Sequence, residues 1–563
     1  MSEREALASG ADHPDHPDHP DHPDHPDHPD TIPISVIPQP RNSHHDQGEW
    51  EIRDDSTGDR PATGGRAARR REEKRQEEKR RGMGRAAITL PPMLVTFVAG
   101  GYRVGAAQVR EDEAATWWAA HLSWSDLGRL LDNTDVVLAP YYVLMHIWVS
   151  VAGSSPAVLR APSVVATAVT AGLLALLGRR MFDAPTGLAA GLVFAVLPVT
   201  TRFAQEARPF ALAALSVVAG ALLLYRALDH VGADRSGGYA FGMLCTGLFH
   251  PVAATVVVAY LLITLATERQ RTGAWLAVTL VPVAPLFAVL MLARGQNHQD
   301  PQGGTDVHAL LRLPQELLGS QHVALAVGGL ALLGVLLGRR NGVPLLVWAV
   351  LPPVALFGLR SYGNLFTPSY FVFTVPAVAL LAGAGVCGLA KLLPGRERGA
   401  ATRQILLGTV AAVAVAAVSL SAFNGLRTDP RPGLPDYQAA SAWLRTQTRG
   451  GDGVVYSGEL DKAMRGTAYQ LRAVADPPDA VYVTVSPQRD GTYTGQPCSA
   501  PVVCTKDVQR IWLVATAPRT PYAGMTSDEG KFLQTEYKAG TAKDFAGGLR
   551  ITLFDRLPLK SAR

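Results

Sequence analysis

The sequence predicts an all-α polytopic membrane protein that ends in a small extracytoplasmic α/β domain. Three observations carry that prediction. The chain holds ten apolar runs, at about 88–106, 161–178, 184–199, 210–228, 239–266, 273–293, 322–338, 343–359, 370–392 and 404–422. A bilayer span needs roughly 20 apolar residues, and most of these runs qualify. Basic residues gather in the short loops between them: Arg179-Arg180, Arg226 to Arg235, Arg269 to Arg271, Arg339-Arg340 and Arg396 to Arg403. After residue 423 the composition returns to the mixture of a water-exposed domain.

The elements follow in order. Residues 1–64 read as a disordered low-complexity tail. Residues 12–29 are six copies of Asp-His-Pro, and proline at every third position blocks helix and sheet ladders alike. Residues 65–87 form a basic juxtamembrane segment. Its arginines and lysines alternate with glutamates at 72, 73, 77 and 78, the spacing of a solvated helix. The positive-inside rule then keeps the N-terminus in the cytoplasm. The net charge of +5 is concentrated in such patches, which reads as an orientation signal and not as a nucleic-acid surface.

The membrane module covers 88–427. One crossing per run would leave the later basic loops on the wrong side. A reversal at His250-Pro251, inside the run 239–266, returns them to the cytoplasm and gives about eleven passes. Two of these are half-spans buried among other helices. The segments 107–160, 200–209, 294–321 and 360–369 then fall outside, as does the domain 428–563. In that domain, 436–448 reads as an amphipathic helix, and 453–457, 480–484, 510–515 and 549–554 as strands. Cys245 and Cys387 lie in apolar runs and read as small buried residues. Cys498 and Cys504 lie close together in the polar part, where an oxidising compartment favours a disulfide.

Candidate chemistry sits at the outer rim. Arg110-Glu111-Asp112-Glu113-Ala114 lies just past a membrane exit, before Trp117-Trp118, Trp124 and Tyr141-Tyr142. Such aromatics suit two helices at headgroup level. Asp112 or Glu113 reads either as a general base or as the acidic start of a helix. The segment 200–210 carries Arg202, Glu206 and Arg208, and charge at that depth is costly and usually functional. The rigid fork of Arg208 suits a phosphate, with Glu206 beside it; an edge ion pair is the alternative. Arg160 starts the second span, as a phosphate contact or a headgroup snorkel. His250 reads as a structural group before a ligand. Tyr370, with Tyr362, belongs to an outer loop and reads equally as aromatic belt or substrate contact. No Walker loop, no Gly-x-Gly-x-x-Gly turn and no zinc-spaced Cys/His pattern occurs, so a cytosolic nucleotide-sugar site has no support and no metal ligands are assigned.

The run from Arg110 to Ala114, Leu138 to Trp148, Leu159 to Ser163, Gly178 to Phe182 and Arg202 to Phe210 resembles the GT-C superfamily. More narrowly it is similar to glycosyltransferase family 39 of the actinobacterial type, related to protein O-mannosyltransferases and the lipid A aminoarabinose transferase. The resemblance implies a GT-C fold and inverting transfer of mannose or another hexose or pentose from a polyprenyl-phosphate donor. The acceptor would be an extracytoplasmic protein, glycan or lipid. It implies Asp112 as the base that deprotonates the acceptor hydroxyl, with Glu113 as its neighbour in the motif. Arg208 would bind the donor phosphate with Glu206 beside it. Where the family often has Arg-Tyr this chain has Ser369-Tyr370. A divalent cation, Mg or Mn, is left open. The competing class is a multi-pass transporter or flippase, which places charges or broken helices at mid-membrane; here the charges lie at the outer rim, which favours an enzyme.

Overall fold

The computed structural model describes residues 84–558 apart from 231, 297–305, 361–365, 395–398, 427–433, 475 and 518. The Asp-His-Pro tail, the basic segment up to residue 83, Tyr362 and Arg396 lie outside the described residues.

Every expected apolar run is helical. The first forms a helix over 84–101. Pro156–Met181, Phe210–Asp229, Pro368–Leu392 and Ala400–Gly425 are long and apolar enough to cross a membrane. Three bent pairs bring the number to seven among the described residues. One of them, Ala184–Ala195 with Pro198–Ala204, bends by 64° where Pro198 opens a new helix. The expected eleven is not reached by length and composition. Prolines and 3-10 turns divide several runs into pieces too short to qualify, such as Pro251–Thr267 and Gly342–Gly358.

The run 239–266 does reverse. Pro251 cannot continue a helix, and it holds the residue before it extended; His250 has φ −159° and ψ 107°. Tyr239 and Tyr260, on either side of the break, have ring centroids 6.2 Å apart. The chain therefore turns back between the helices Ala233–Phe249 and Val257–Thr267, far enough to bring these two rings together.

Charges divide between the two ends of the bundle. At one end Arg180 pairs with Asp229 at 2.5 Å and Lys391 with Asp183 at 2.7 Å, and Arg271 donates to the Leu228 carbonyl. Arg160 lies near the other end of the helix that carries Arg180. Twenty residues at about 1.5 Å each separate the two by roughly 30 Å, the thickness of a bilayer's hydrocarbon core.

Pro368–Leu392 is the central helix, 83% buried over its most apolar window. It packs on Ala184–Ala195 and Gln321–Leu337 through small residues, which let helix backbones approach closely in lipid. A Cβ at Gly385 would run into the carbonyl oxygen of Leu330.

The C-terminal domain carries a five-stranded sheet. Its order is Asp479–Ala480, Gly453–Ser457, Arg510–Ala515, Leu549–Arg556, Tyr537–Phe545. Gly453–Ser457 pairs in parallel with its two neighbours; the remaining pairs are antiparallel. The segment 480–484 is split, since Val483–Val485 pairs instead with Gln496–Pro497. Cys498 and Cys504 are disulfide-bonded, while Cys245 and Cys387 are free.

This domain rests on the segment 107–160, which forms three helices and not two: Glu111–His121, Trp124–Asn133 and Ala139–Ala152. Trp117 meets Tyr469 edge-on at 5.3 Å, and Tyr437 donates to Glu111 at 2.9 Å. Tyr141 and Tyr142 are fully buried in this contact, unlike the exposed rings of an aromatic belt.

Substituting Gly385→Ala forces this packing apart, at a cost of about 1–3 kcal/mol. The thermal unfolding midpoint of the detergent-solubilised protein is expected to fall; an unchanged midpoint contradicts the close approach.

Candidate functional site

Glu113 organises the site. It is 1% exposed and accepts four hydrogen bonds. Arg160 Nε donates to Oε1 and Nη2 to Oε2, both at 2.7 Å. The backbone N–H of Ala207 donates to Oε1 at 3.0 Å, and that of Arg110 to Oε2 at 3.0 Å. Arg160 is equally spent. Its Nη1 donates to the carbonyls of Val104 and Ala107, and its Nη2 also to that of Gln108. All five guanidinium donors are used. Burial pushes the Glu113 carboxyl up, but Arg160 and the two backbone donors outweigh it and hold the group ionised below its ordinary value.

This corrects two expectations. Glu113 has no acceptor site left for a catalytic proton, and Arg160 has no donor left for a phosphate. The pair instead ties the chain 104–113 to the helix Pro156–Met181 and to the turn 205–209.

Asp112 is in the opposite condition. Its side chain is 48% exposed, and its nearest cation is Arg110 at 3.9 Å. Partial burial pushes its carboxyl up, but the charges of Arg208 and then Arg110 hold it below the ordinary aspartate value of 3.8. Arg110 binds Glu206 at 2.7 Å, and Glu206 Oε2 is buried without a partner. Arg208 Nε is likewise buried and unpartnered. Its guanidinium lies 5.7 Å from the Phe210 ring centroid.

Asp112 and Arg208 line one cavity of about 790 Å³. Asp135, and from the C-terminal domain Lys462, Arg465 and Tyr493, close it. Asp135 has φ +58°, a left-handed conformation that aspartate tolerates. Its carboxylate accepts from Tyr142 at 3.1 Å and from Tyr493 at 2.9 Å, and the two phenols lie 3.0 Å apart. This triad fastens the C-terminal domain over the cavity.

His250 and Tyr370 stand behind Arg208. Their rings are 4.9 Å apart, and both pack on Phe210, at 5.6 and 6.2 Å. Arg202 is elsewhere. Its guanidinium sits 5.1 Å from the Phe203 ring centroid and lines a separate cleft of about 580 Å³ with Gln315, Glu316 and Ser320. The sequence places it beside Glu206 and Arg208, but the helix Pro198–Ala204 turns it away. The sequence does not signal Arg110, Asp135, Arg465 or Tyr493 as site residues. Arg110 stands in the acidic motif, where nothing in the sequence shows that it holds Glu206. The others come from segments that carry no motif. Among the described residues no group of three His, Cys, Asp or Glu side chains stands close enough to hold a metal ion.

Removing one partner of the buried pair leaves an uncompensated charge, at about 3–5 kcal/mol. Arg160→Met is therefore expected to lower the unfolding midpoint sharply and Asp112→Asn hardly at all. Equal midpoints for the two variants contradict this division of roles.

The family model for dolichyl-phosphate-mannose-protein mannosyltransferase matches residues 137–293. No curated protein matches the chain by sequence. The structure is similar to that of ArnT from Cupriavidus metallidurans in the apo state, with TM-score 0.52 and 14% identity, over 83% of this chain and 97% of that one. ArnT from the same organism bound to undecaprenyl phosphate matches with TM-score 0.50 and 14% identity, over the same shares. The chain therefore shares its fold with ArnT, its stretch 137–293 is similar to the mannosyltransferase family, and its described residues hold four to seven segments long and apolar enough to cross a membrane.

Proposed function

We propose that the chain transfers a sugar, mannose or another hexose or pentose, from a polyprenyl-phosphate donor to an extracytoplasmic protein, glycan or lipid. One observation carries this reading. An ionised and half-exposed carboxylate, Asp112, and a guanidinium with an unpartnered donor, Arg208, line the same cavity.

The chemistry follows. The donor phosphate binds Arg208, whose charge stabilises the phosphate as it leaves. Asp112 accepts the proton of the acceptor hydroxyl, a contribution of typically ~10²–10⁴-fold. The acceptor oxygen bonds to the anomeric carbon as the bond to the phosphate oxygen breaks, with inversion. Polyprenyl phosphate is released. Glu206 and Arg110 hold each other beside Asp112, while His250 and Tyr370 back Arg208 through Phe210. The bound lipid phosphate of the similar ArnT structure supports a donor of this class.

The proposed topology has about eleven passes, two of them half-spans meeting at His250. The N-terminus is cytoplasmic. The basic residues Arg180, Arg271 and Lys391 lie at the end opposite the cavity, and the positive-inside rule then puts the cavity and the C-terminal domain outside.

Asp112→Asn is expected to lower turnover by about 10²–10⁴-fold while insertion and donor binding persist. Turnover within twofold of wild type removes Asp112 from the mechanism.

The rate is expected to fall with acid only below the ordinary aspartate range, because nearby cations keep Asp112 ionised. Arg208→Met removes the largest of those charges, so the acid limb of the pH–rate profile moves to higher pH. A limb that stays in place shows that Asp112 is not the titrating base.

A further inference from the structure

Two buried arginines near the cavity differ in how they are satisfied. Arg160 spends every donor on protein oxygens. Arg465, on the helix Leu460–Leu471, is 7% exposed. It forms an ion pair with Asp461 at 3.0 Å and lies 4.2 Å from the Tyr493 ring centroid. Its Nε is buried and has no partner. A buried donor left unmade is costly and calls for a group that completes it. Arg465 lines the same cavity as Asp112 and Arg208, and its charge acts on the Asp112 carboxylate.

We propose that Arg465, with Asp461 and Tyr493, forms a hydroxyl-binding subsite through which the C-terminal domain recognises a sugar ring beside Asp112. This rests on the sugar-transfer reading of the cavity. The lining charges select the ligand class. Five aspartates line the cavity against three cations, Arg208, Lys462 and Arg465. Once a phosphate occupies Arg208, a further anion meets an excess of carboxylate. A neutral polyol fits, because its hydroxyls donate to Asp461 and accept from the free edge of Arg465. The guanidinium plane is fixed for this by Tyr493, which Asp135 and Tyr142 hold from below. The ring is either the transferred sugar or a sugar of the acceptor; both present the same hydroxyls.

The test uses the full-length protein in lipid nanodiscs. Polyprenyl phosphate and a panel of polyprenyl-phosphate sugars are titrated, donor hydrolysis by water is followed, and transfer to methyl mannoside is measured as an acceptor probe. For a transferred-sugar subsite, the wild type binds one loaded lipid more tightly than bare polyprenyl phosphate. Arg465→Met then weakens that loaded lipid and its hydrolysis about 10- to 100-fold, the loss expected for a charged hydrogen bond. Bare polyprenyl phosphate is bound as before, and Arg465→Lys is intermediate. For an acceptor-sugar subsite, donor binding and hydrolysis are unchanged and KM for methyl mannoside rises by the same factor. Three results overturn the proposal: both variants matching wild type in all three assays, an equal loss for bare and loaded lipid, or Arg465→Lys failing as fully as Arg465→Met. A wild type that binds no polyprenyl-phosphate lipid overturns the sugar-transfer reading itself.

Discussion

The carboxylate of Glu113 joins three segments that are distant in sequence. Arg160 reaches it from the helix Pro156–Met181, the Ala207 N–H from the turn between two membrane helices, and the Arg110 N–H from its own helix start. A buried ion pair tolerates no missing partner, since either charge alone is stranded in low dielectric. The four donors therefore hold one geometry. Asp112 is the residue before Glu113 and Arg208 the residue after Ala207. Fixing the buried pair thus fixes both groups that face the cavity, with neither of them used as structural support.

That separation explains the electrostatics. Glu113 is neutralised by Arg160 and adds little net charge to the cavity. Asp112 keeps its solvent-facing side and is held ionised by Arg208 and Arg110. Burial strengthens each of these interactions relative to water. Arg208 keeps an unmade donor because the surrounding aromatic rings, Phe210 with His250 and Tyr370 behind it, orient the guanidinium without consuming it. In the proposed reaction this is preorganisation: the charges that stabilise a departing phosphate are in place before the donor arrives.

Much of the fold was legible, because lipid imposes a simple rule on sequence. Apolar runs had to become helices, and the misfit between one 28-residue run and its basic flanks pointed to the reversal at His250. The number of spans was less legible, since proline breaks and short helices satisfy backbone hydrogen bonds inside the bundle without the length of an isolated span. At the site, Asp112 and Arg208 stood out by their place at the rim. Glu113 and Arg160 stood out equally, and residue type could not reveal that 47 positions apart they saturate each other. Arg202 shared a segment with Arg208, yet the direction of a helix turn decides which side chain enters the cavity. Arg465 and Tyr493 carry no local signal, because their position depends on how a whole domain docks. The edge strand Tyr537–Phe545 escaped for a related reason: its residues are almost all exposed and show no alternation.

We propose that the buried Glu113–Arg160 pair sets Asp112 and Arg208 across a single lipid-phosphate site. An experimental structure with polyprenyl phosphate bound tests it most directly. Phosphate density is expected against the Arg208 guanidinium, with the Asp112 carboxylate facing the same space and the Glu113–Arg160 pair closed. Phosphate seated on Arg160, or in the separate cleft at Arg202 with the main cavity empty, contradicts it.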